Sequence, residues 1–420
     1  MERLRGVSTL GSAGSRLRAL YDDGSVLRGA MAYRVLLGAV VFGVLLRVVL
    51  IGMSYGSNDM TRWTQFADAI REFNIWELYR GYQGFNHPPL MGWMAAGLRT
   101  LALWTGIPFS VLFKLPCLIA DVLVMVVLWR CWRQSGHILA AAAVALFSLN
   151  PISILVTAYH GNTDSLVGAF GLFAAFAMSR HRYATAGLLV ALAANVKIVG
   201  VLWAPALFLL CYDRRAMLRF VLGIGVGMLP FVLPLLIGAA EFHRNVLSYG
   251  SEPRNWGISR LIDGGVGQLE SVSTELHSQF LAWGRYLALG GVVSWAIIGR
   301  VVRLDPFRAA ALAFAAFLTL APGFGIQYLV WIVPVLGAVS LRYSLRYALL
   351  GGLFLVLVYL TWLTGDWPLS SNHFGIPAPA WVVGLFVWAT LVSFQWQVLR
   401  SIVKGQGSSE ETLPTLPETK

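Results

Sequence analysis

The chain has 420 residues, of which 57% are hydrophobic and only 12% charged, and it carries a net charge of +12. A soluble domain of this size holds about 25% charged residues, so water is excluded as the solvent around most of the chain. The positive balance reads as Lys and Arg retained in the cytoplasmic loops of a membrane protein, which removes nucleic acid from the partners.

Residues 1–34 form a polar, basic segment with Arg3, Arg5, Arg16, Arg18, Arg28 and Arg34, expected in the cytoplasm. The apolar run at 35–53 is too long for a signal-peptide core and is expected to stay as the first helix. Further apolar runs lie near 88–105, 109–129, 137–157, 164–180, 184–196, 198–212, 216–239, 279–299, 308–321, 325–341, 346–364 and 378–397. A transmembrane helix needs about 20 apolar residues, and several of these runs are shorter. The expected fold is an all-α polytopic membrane protein, a bundle of about 11–13 transmembrane helices over residues 35–398. Residues 399–420 read as a polar, disordered tail. Cys117, Cys131 and Cys211 sit in or beside apolar runs without paired spacing, as small buried hydrophobes do.

Basic clusters at Arg130/Arg133, Arg180/Arg182, Arg214/Arg215/Arg219, Arg300/Arg303/Arg308, Arg342/Arg346 and Arg400/Lys404 mark one side of the membrane. Segments 54–87, 150–163, 241–278 and 365–377 are left for the other side. The first holds three Arg against four acids and the third three Arg against five, which supports the orientation. The pair 88–105 and 109–129 does not fit as two crossings, because it would place Arg130 and Arg133 outside. Either one of the two is a partial or re-entrant helix, or this pair breaks the charge rule.

In the first external loop, 54–87, Trp63, Phe66, Ala67, Ile70 and Phe73 fall on one helical face, and Arg62, Gln65, Asp68, Arg71 and Glu72 largely on the other. That pattern predicts a helix at the membrane interface, with Asn58 or Asp59 as its N-cap. Asp59 then either only caps the helix or presents a carboxylate where a lipid-linked substrate meets an aqueous acceptor. His87, before Pro88 and Pro89, is either a polar interfacial residue or part of a site.

Ionisable groups inside a membrane are costly and therefore functional candidates. Asp121 has Lys114 two turns earlier on the same face, which predicts a structural pair. Lys197 stands between two short apolar halves, where a broken helix would expose a cation to a cavity and a phosphate. His160, Asn162 and Asp164 lie within five residues around Gly161. They form either a capped turn, with Thr163 or Asp164 as cap, or a polar site; no second ligand stands at metal-binding spacing. The long 241–278 loop is expected to act as a lid or binding loop. In it Arg254 and Arg260 match phosphate geometry, and Trp256 offers a face to a sugar. Another external turn is expected at 321–328, where Gln327 and Tyr328 lead into the next helix.

The order of Asn58-Asp59, the HPPL at 87–90, NP…HGNTDSL at 150–166, Lys197 with Pro205, and PGFGIQYLVWIVP at 322–334 resembles the GT-C superfamily of membrane glycosyltransferases. The likeness is to its dolichyl-phosphate-glucose and dolichyl-phosphate-mannose dependent members and their bacterial polyprenyl-phosphate counterparts. It threads the chain from residue 35 to about 340. The resemblance implies a polyprenyl-phosphate sugar donor, inverting transfer of a hexose, and catalysis facing the periplasm or lumen, here from a bacterial plasma membrane. It casts Asp59 as the general base, with Lys197, Arg260 or His160 stabilising the leaving phosphate; Asp164, His87, Arg254, Trp256 and Gln327 complete the substrate-binding candidates. Metal-dependent members carry paired acids in this loop, whereas Asn58 stands beside Asp59, so no obligatory metal is expected. The large soluble domain of oligosaccharyltransferases is missing, so a lipid or glycan acceptor is expected. A multi-span transporter or lipid flippase is the rival reading, favoured by Asp121 and Lys197 and disfavoured by the polar groups gathered outside.

Overall fold

The structure, a computed structural model, describes residues 9–82, 84–248, 256–266, 270–366, 368–373 and 375–404. It is almost wholly helical. The first helix, α1 (Thr9–Met53), leads into a short strand, β1 (Ser54–Ser57). Next come α2 (Asn58–Glu72), α3 (Ile75–Gly81), α4 (Pro89–Thr105), α5 (Phe109–Trp132), α6 (His137–Ser148) and α7 (Pro151–Ile154). A π-helical turn over Leu155–His160 precedes α8 (Asp164–Ser179), α9 (Tyr183–Val196), α10 (Trp203–Phe208), α11 (Arg214–Gly227), α12 (Leu229–Ile237) and α13 (Ala239–Phe242). The chain closes with α14 (Gly257–Val266), α15 (Glu270–Val302), α16 (Pro306–Leu320), α17 (Val333–Val339), α18 (Leu341–Trp362), strand β2 (Leu369–Ser371) and α19 (Ala378–Val403).

Among the described residues five helices are long and apolar enough to cross a membrane: Gly29–Met53, Phe109–Ser135, Thr274–Val302, Leu341–Trp362 and Ala378–Val403. Two bent pairs, α6 with residues Pro151–His160 (41°) and α11 with α12 (55°), raise the number to seven when each counts as one span. Five shorter apolar helices of 10–17 residues fill the bundle between them. The first bend has a local cause. Pro151 cannot continue a hydrogen-bond ladder, and Asn150 Oδ1 restarts the helix by accepting from the Ile152 and Ser153 amides at 3.0 and 3.4 Å.

The hairpin that strained the charge rule resolves through α4. This helix has 17 residues and is not among the membrane-length spans. Its Arg99 donates twice to Asp68 of α2, at 2.8 and 3.1 Å, which joins α4 to α2, and of the two helices α5 is the one with membrane-crossing length and composition. Lys114 near the start of α5 reaches Ser54 at 2.7 Å, while Arg130 and Arg133 stand at the far end of the same helix.

The expected pairing of Asp121 with Lys114 is corrected. Asp121 accepts from Arg47 of α1 at 2.9 Å and from Ser153 at 2.8 Å, while Lys114 binds the Ser54 carbonyl and hydroxyl. The stripe on α2 is buried as expected at Trp63, Phe66, Ala67 and Ile70, but Phe73 is exposed. It covers protein: Trp63 packs on Phe113 and Phe85, with ring centroids 5.0 and 6.4 Å away. Between α9 and α11, Gly187 and Gly223 face the Phe220 and Ala184 carbonyls with no room for a Cβ, the small-residue contact that lets membrane helices approach closely.

Segment 241–278 is largely helical where described, as the end of α13, a π-helical turn over His243–Leu247, α14 and the start of α15. The described part of this expected lid or binding loop is thus helical. β1 and β2 run parallel, with Ser54, Gly56 and Ser57 opposite Leu369, Ser370 and Ser371, and Tyr55 bulged out. This pairing fastens the loop after α18 onto the start of the first external loop.

Candidate functional site around Asp59

Ser57, not Asn58 or Asp59, caps α2: its hydroxyl accepts from the Asp59 amide at 3.3 Å. Asp59 therefore sits in the first turn, where the helix dipole favours a negative charge and its carboxylate is free to face the neighbouring segment. That segment supplies two donors. Asn162 Nδ2 donates to Asp59 Oδ2 at 2.8 Å, and His160 Nε2 stands 3.1 Å from the same oxygen. His160 is wholly buried, whereas the Asp59 side chain keeps 18% of its surface. Burial by itself would raise the Asp59 pKa, but the His160 hydrogen bond and charge, with His373 and Asn162, outweigh it and hold the carboxyl well below the usual carboxylate range.

His160 is held from every side. Its Nδ1 lies 2.7 Å from the Tyr359 hydroxyl of α18, and its Nε2 also lies 3.2 Å from Ser57 Oγ. Over its face stacks His373, with centroids 5.6 Å apart and planes 23° apart. The β1–β2 pairing places His373, which also packs on Trp362 at 4.6 Å.

The backbone between His160 and Asn162 turns through Gly161 at φ +74°, and a Cβ there would come within 2.6 Å of Met60 Cε and 3.0 Å of Lys114 Cε. The left-handed conformation favours glycine, and a Cβ would also make the ends of Met60 and Lys114 shift. Gly161→Ala is expected to cost about 1–3 kcal/mol and to lower activity by displacing His160 and Asn162 from Asp59. An unchanged unfolding midpoint together with unchanged turnover would remove this role.

Thr163 stands at the N-cap of α8 without a side-chain cap bond, and Asp164 follows in the first turn; Asn162 Oδ1 instead accepts from the Asp164 amide at 3.2 Å. The Asp164 carboxylate faces a second cluster. As the sequence predicts, the helix breaks at Lys197, which is extended (φ −154°, ψ 135°) before a 3-10 turn over Ile198–Leu202. Its ammonium lies 3.2 and 3.3 Å from the two Asp164 oxygens and over the rings of Tyr328 (4.6 Å) and Trp331 (5.5 Å). Trp331 Nε1 donates to Asp164 at 2.5 Å. His87 borders this cluster, its Nδ1 3.5 Å from the Val196 carbonyl and its ring 4.4 Å from Trp63. Burial first, then the Lys197 charge, push it down to about 3, so it is a neutral polar contact and not a cation.

The structure thus unites Asp59 with His160, and Asp164 with Lys197 and His87. Trp256 and Arg260 belong elsewhere. The Trp256 ring is 3% exposed, stacks on Phe324 at 4.2 Å and donates to the Leu318 carbonyl at 2.8 Å. Its face is already covered, which corrects the expectation that it stacks on a sugar. Arg260 lies 3.8 Å over Trp381. Gln327 is half-buried beside Gly325, and Arg254 lies outside the described residues. Tyr359 and His373 were not marked by the sequence: one is an aromatic in an apolar run and the other a lone histidine in segment 365–377.

A carboxylate oriented by an imidazole and an amide has the chemistry to accept a proton. Residues 85–324 match the sequence model of Glycosyltransferase family 87, which is more than half of the chain. The fold and this match place the protein in the GT-C class of membrane glycosyltransferases. Within that class, the chain belongs to Glycosyltransferase family 87. No curated protein matches it. The matched segment contains His87, His160, Asp164 and Lys197, whereas Asp59, Tyr359 and His373 lie on either side of it.

Proposed function

We propose that this glycosyltransferase moves a hexose from a polyprenyl-phosphate donor to a lipid-linked or envelope-glycan acceptor, on the non-cytoplasmic face of a bacterial plasma membrane. The observation that carries the reading is the Asp59 carboxylate, ionised, partly open and pinned by His160 and Asn162. A single fixed carboxylate suits inverting transfer, in which a base takes the acceptor proton as the hydroxyl attacks the anomeric carbon. The base must come within about 3 Å of that hydroxyl. The donor phosphate leaves with the electron pair of the glycosidic bond and develops charge that fixed cations lower in energy. Lys197 is the candidate nearest this task, and a phosphate would have to share it with Asp164. This reading uses no metal ion, because Asn58 and not a second acid stands beside Asp59.

The test is an assay of the purified protein against a panel of polyprenyl-phosphate sugars with lipid and glycan acceptors. Transfer from at least one donor, with inversion at the anomeric carbon, supports the proposal. No turnover with any donor, together with movement of lipid or sugar across liposomes, would replace it by the transporter reading.

A further inference from the structure

From the geometry we infer that Asp59, His160 and His373 form a binding site for a borderline-soft divalent transition ion such as Zn2+, and that its occupancy silences the enzyme. One ligand atom from each residue lies within 4.8 Å of the other two. The residues come from three separate places: the first turn of α2, the π-helical turn before α8, and the stretch after β2. Two imidazoles and a carboxylate are a donor set for zinc, which binds nitrogen and oxygen at about 2.0–2.2 Å and takes three protein ligands where a fourth position stays open. Tetrahedral ligands at that distance around one ion stand about 3.3–3.6 Å apart, and His160 Nε2 and Asp59 Oδ2, at 3.1 Å, need to part by only a few tenths of an ångström. Only His373 has to close in, and it is the exposed member of the three.

The surrounding groups suit both states. A carboxylate only accepts, so in the hydrogen-bonded state His160 Nε2 carries a proton toward Asp59. When Nε2 binds an ion instead, that nitrogen gives up its proton and Nδ1 donates. The Tyr359 hydroxyl, 2.7 Å from Nδ1, can accept from that nitrogen or donate to it, as a partner of a metal-bound histidine must. Asn162 holds the carboxylate at 2.8 Å in either case. The absence of paired acids beside Asp59 speaks against a hard-ion site for Mg2+, which takes oxygen ligands; it does not bear on a nitrogen-rich one.

The binding half of the inference stands on geometry alone. The silencing half rests on Asp59 being the base, because a carboxylate oxygen bound to an ion cannot take the acceptor proton.

The experiment titrates metal-stripped purified protein with Zn2+ against a chromophoric chelator, beside the His373→Ala and Tyr359→Phe variants. One Zn2+ per chain is expected, with affinity reduced more than about 10-fold in His373→Ala and less in Tyr359→Phe. Co2+ in place of Zn2+ should give a visible d–d spectrum that His373→Ala loses, which reports ligation independently of stability. Mg2+ should not compete. Failure of the wild type to bind Zn2+, or equal binding by His373→Ala, overturns the site. Zn2+ at saturation should abolish transfer by the wild type, with recovery on chelation; unchanged or increased transfer with Zn2+ bound overturns the silencing. If metal-free protein transfers from no donor, that result counts against the proposed function, and the Zn2+ titration still decides the site.

Discussion

Asp59→Asn is expected to lower sugar transfer by about 10²–10⁴-fold, the range of one positioned general base, while the protein stays folded and inserted. Asparagine keeps the shape of the side chain and an oxygen that can accept from Asn162 and His160. The hydrogen bonds at 2.8 and 3.1 Å therefore persist in weaker, neutral form. What is lost is the site for the acceptor proton, so the fall should appear in kcat with little change in KM for the donor. Asp68→Asn is the control on the same helix: it removes an acid that is 41% exposed and paired with Arg99 and Arg71, and turnover should not change. Wild-type turnover by purified Asp59→Asn would end its assignment as the base.

The second large effect concerns stability. Arg47→Met is expected to destabilise the fold by about 3–5 kcal/mol, as removal of one partner from a buried ion pair does. Arg47 has no exposed surface. Besides Asp121 it donates to the Gly43 carbonyl at 3.1 Å, to the Ser148 carbonyl and to Ser153 Oγ at 2.8 Å, tying α1 to α5 and to the bend between α6 and α7. Its loss leaves a buried carboxylate without a counter-charge, held by the Ser153 hydroxyl. The double variant Arg47→Met/Asp121→Leu removes both charges and should recover most of the loss, because apolar replacement of a whole pair is often neutral or better. Unfolding midpoints in one detergent would measure both. A double variant no more stable than the single would show that shape, and not the stranded charge, is what Arg47 supplies.

The membrane class, the α2 stripe and the break at Lys197 were legible because each is written in neighbouring residues. Trp63, Phe66, Ala67 and Ile70 share a face by helical period alone, and a cation between two short apolar halves marks its own break. Partners brought together by the fold were not legible. Asp121 was matched with Lys114 because periodicity sees only one helix, while Arg47 stands 74 residues away. Asp59 could be singled out, but His160 lies 101 residues on, and Tyr359 another 199 beyond that. His373 carried no signal at all, since a lone histidine in a short polar segment acquires meaning only when β2 is laid beside β1. Trp256 shows the opposite error: an aromatic in a polar stretch was given to a ligand when its own core had use for it.

The pairing of Ser54–Ser57 with Leu369–Ser371 has a consequence for how the enzyme is made. A ribosome adds about 5–20 residues per second, so about 300 residues and tens of seconds separate the strand beside Asp59 from the one that brings His373. During that interval Asp59 and His160 have been synthesised, but the wall that closes over them has not. A nascent or C-terminally truncated chain therefore holds Asp59 and His160 without Tyr359 and His373 packed against them.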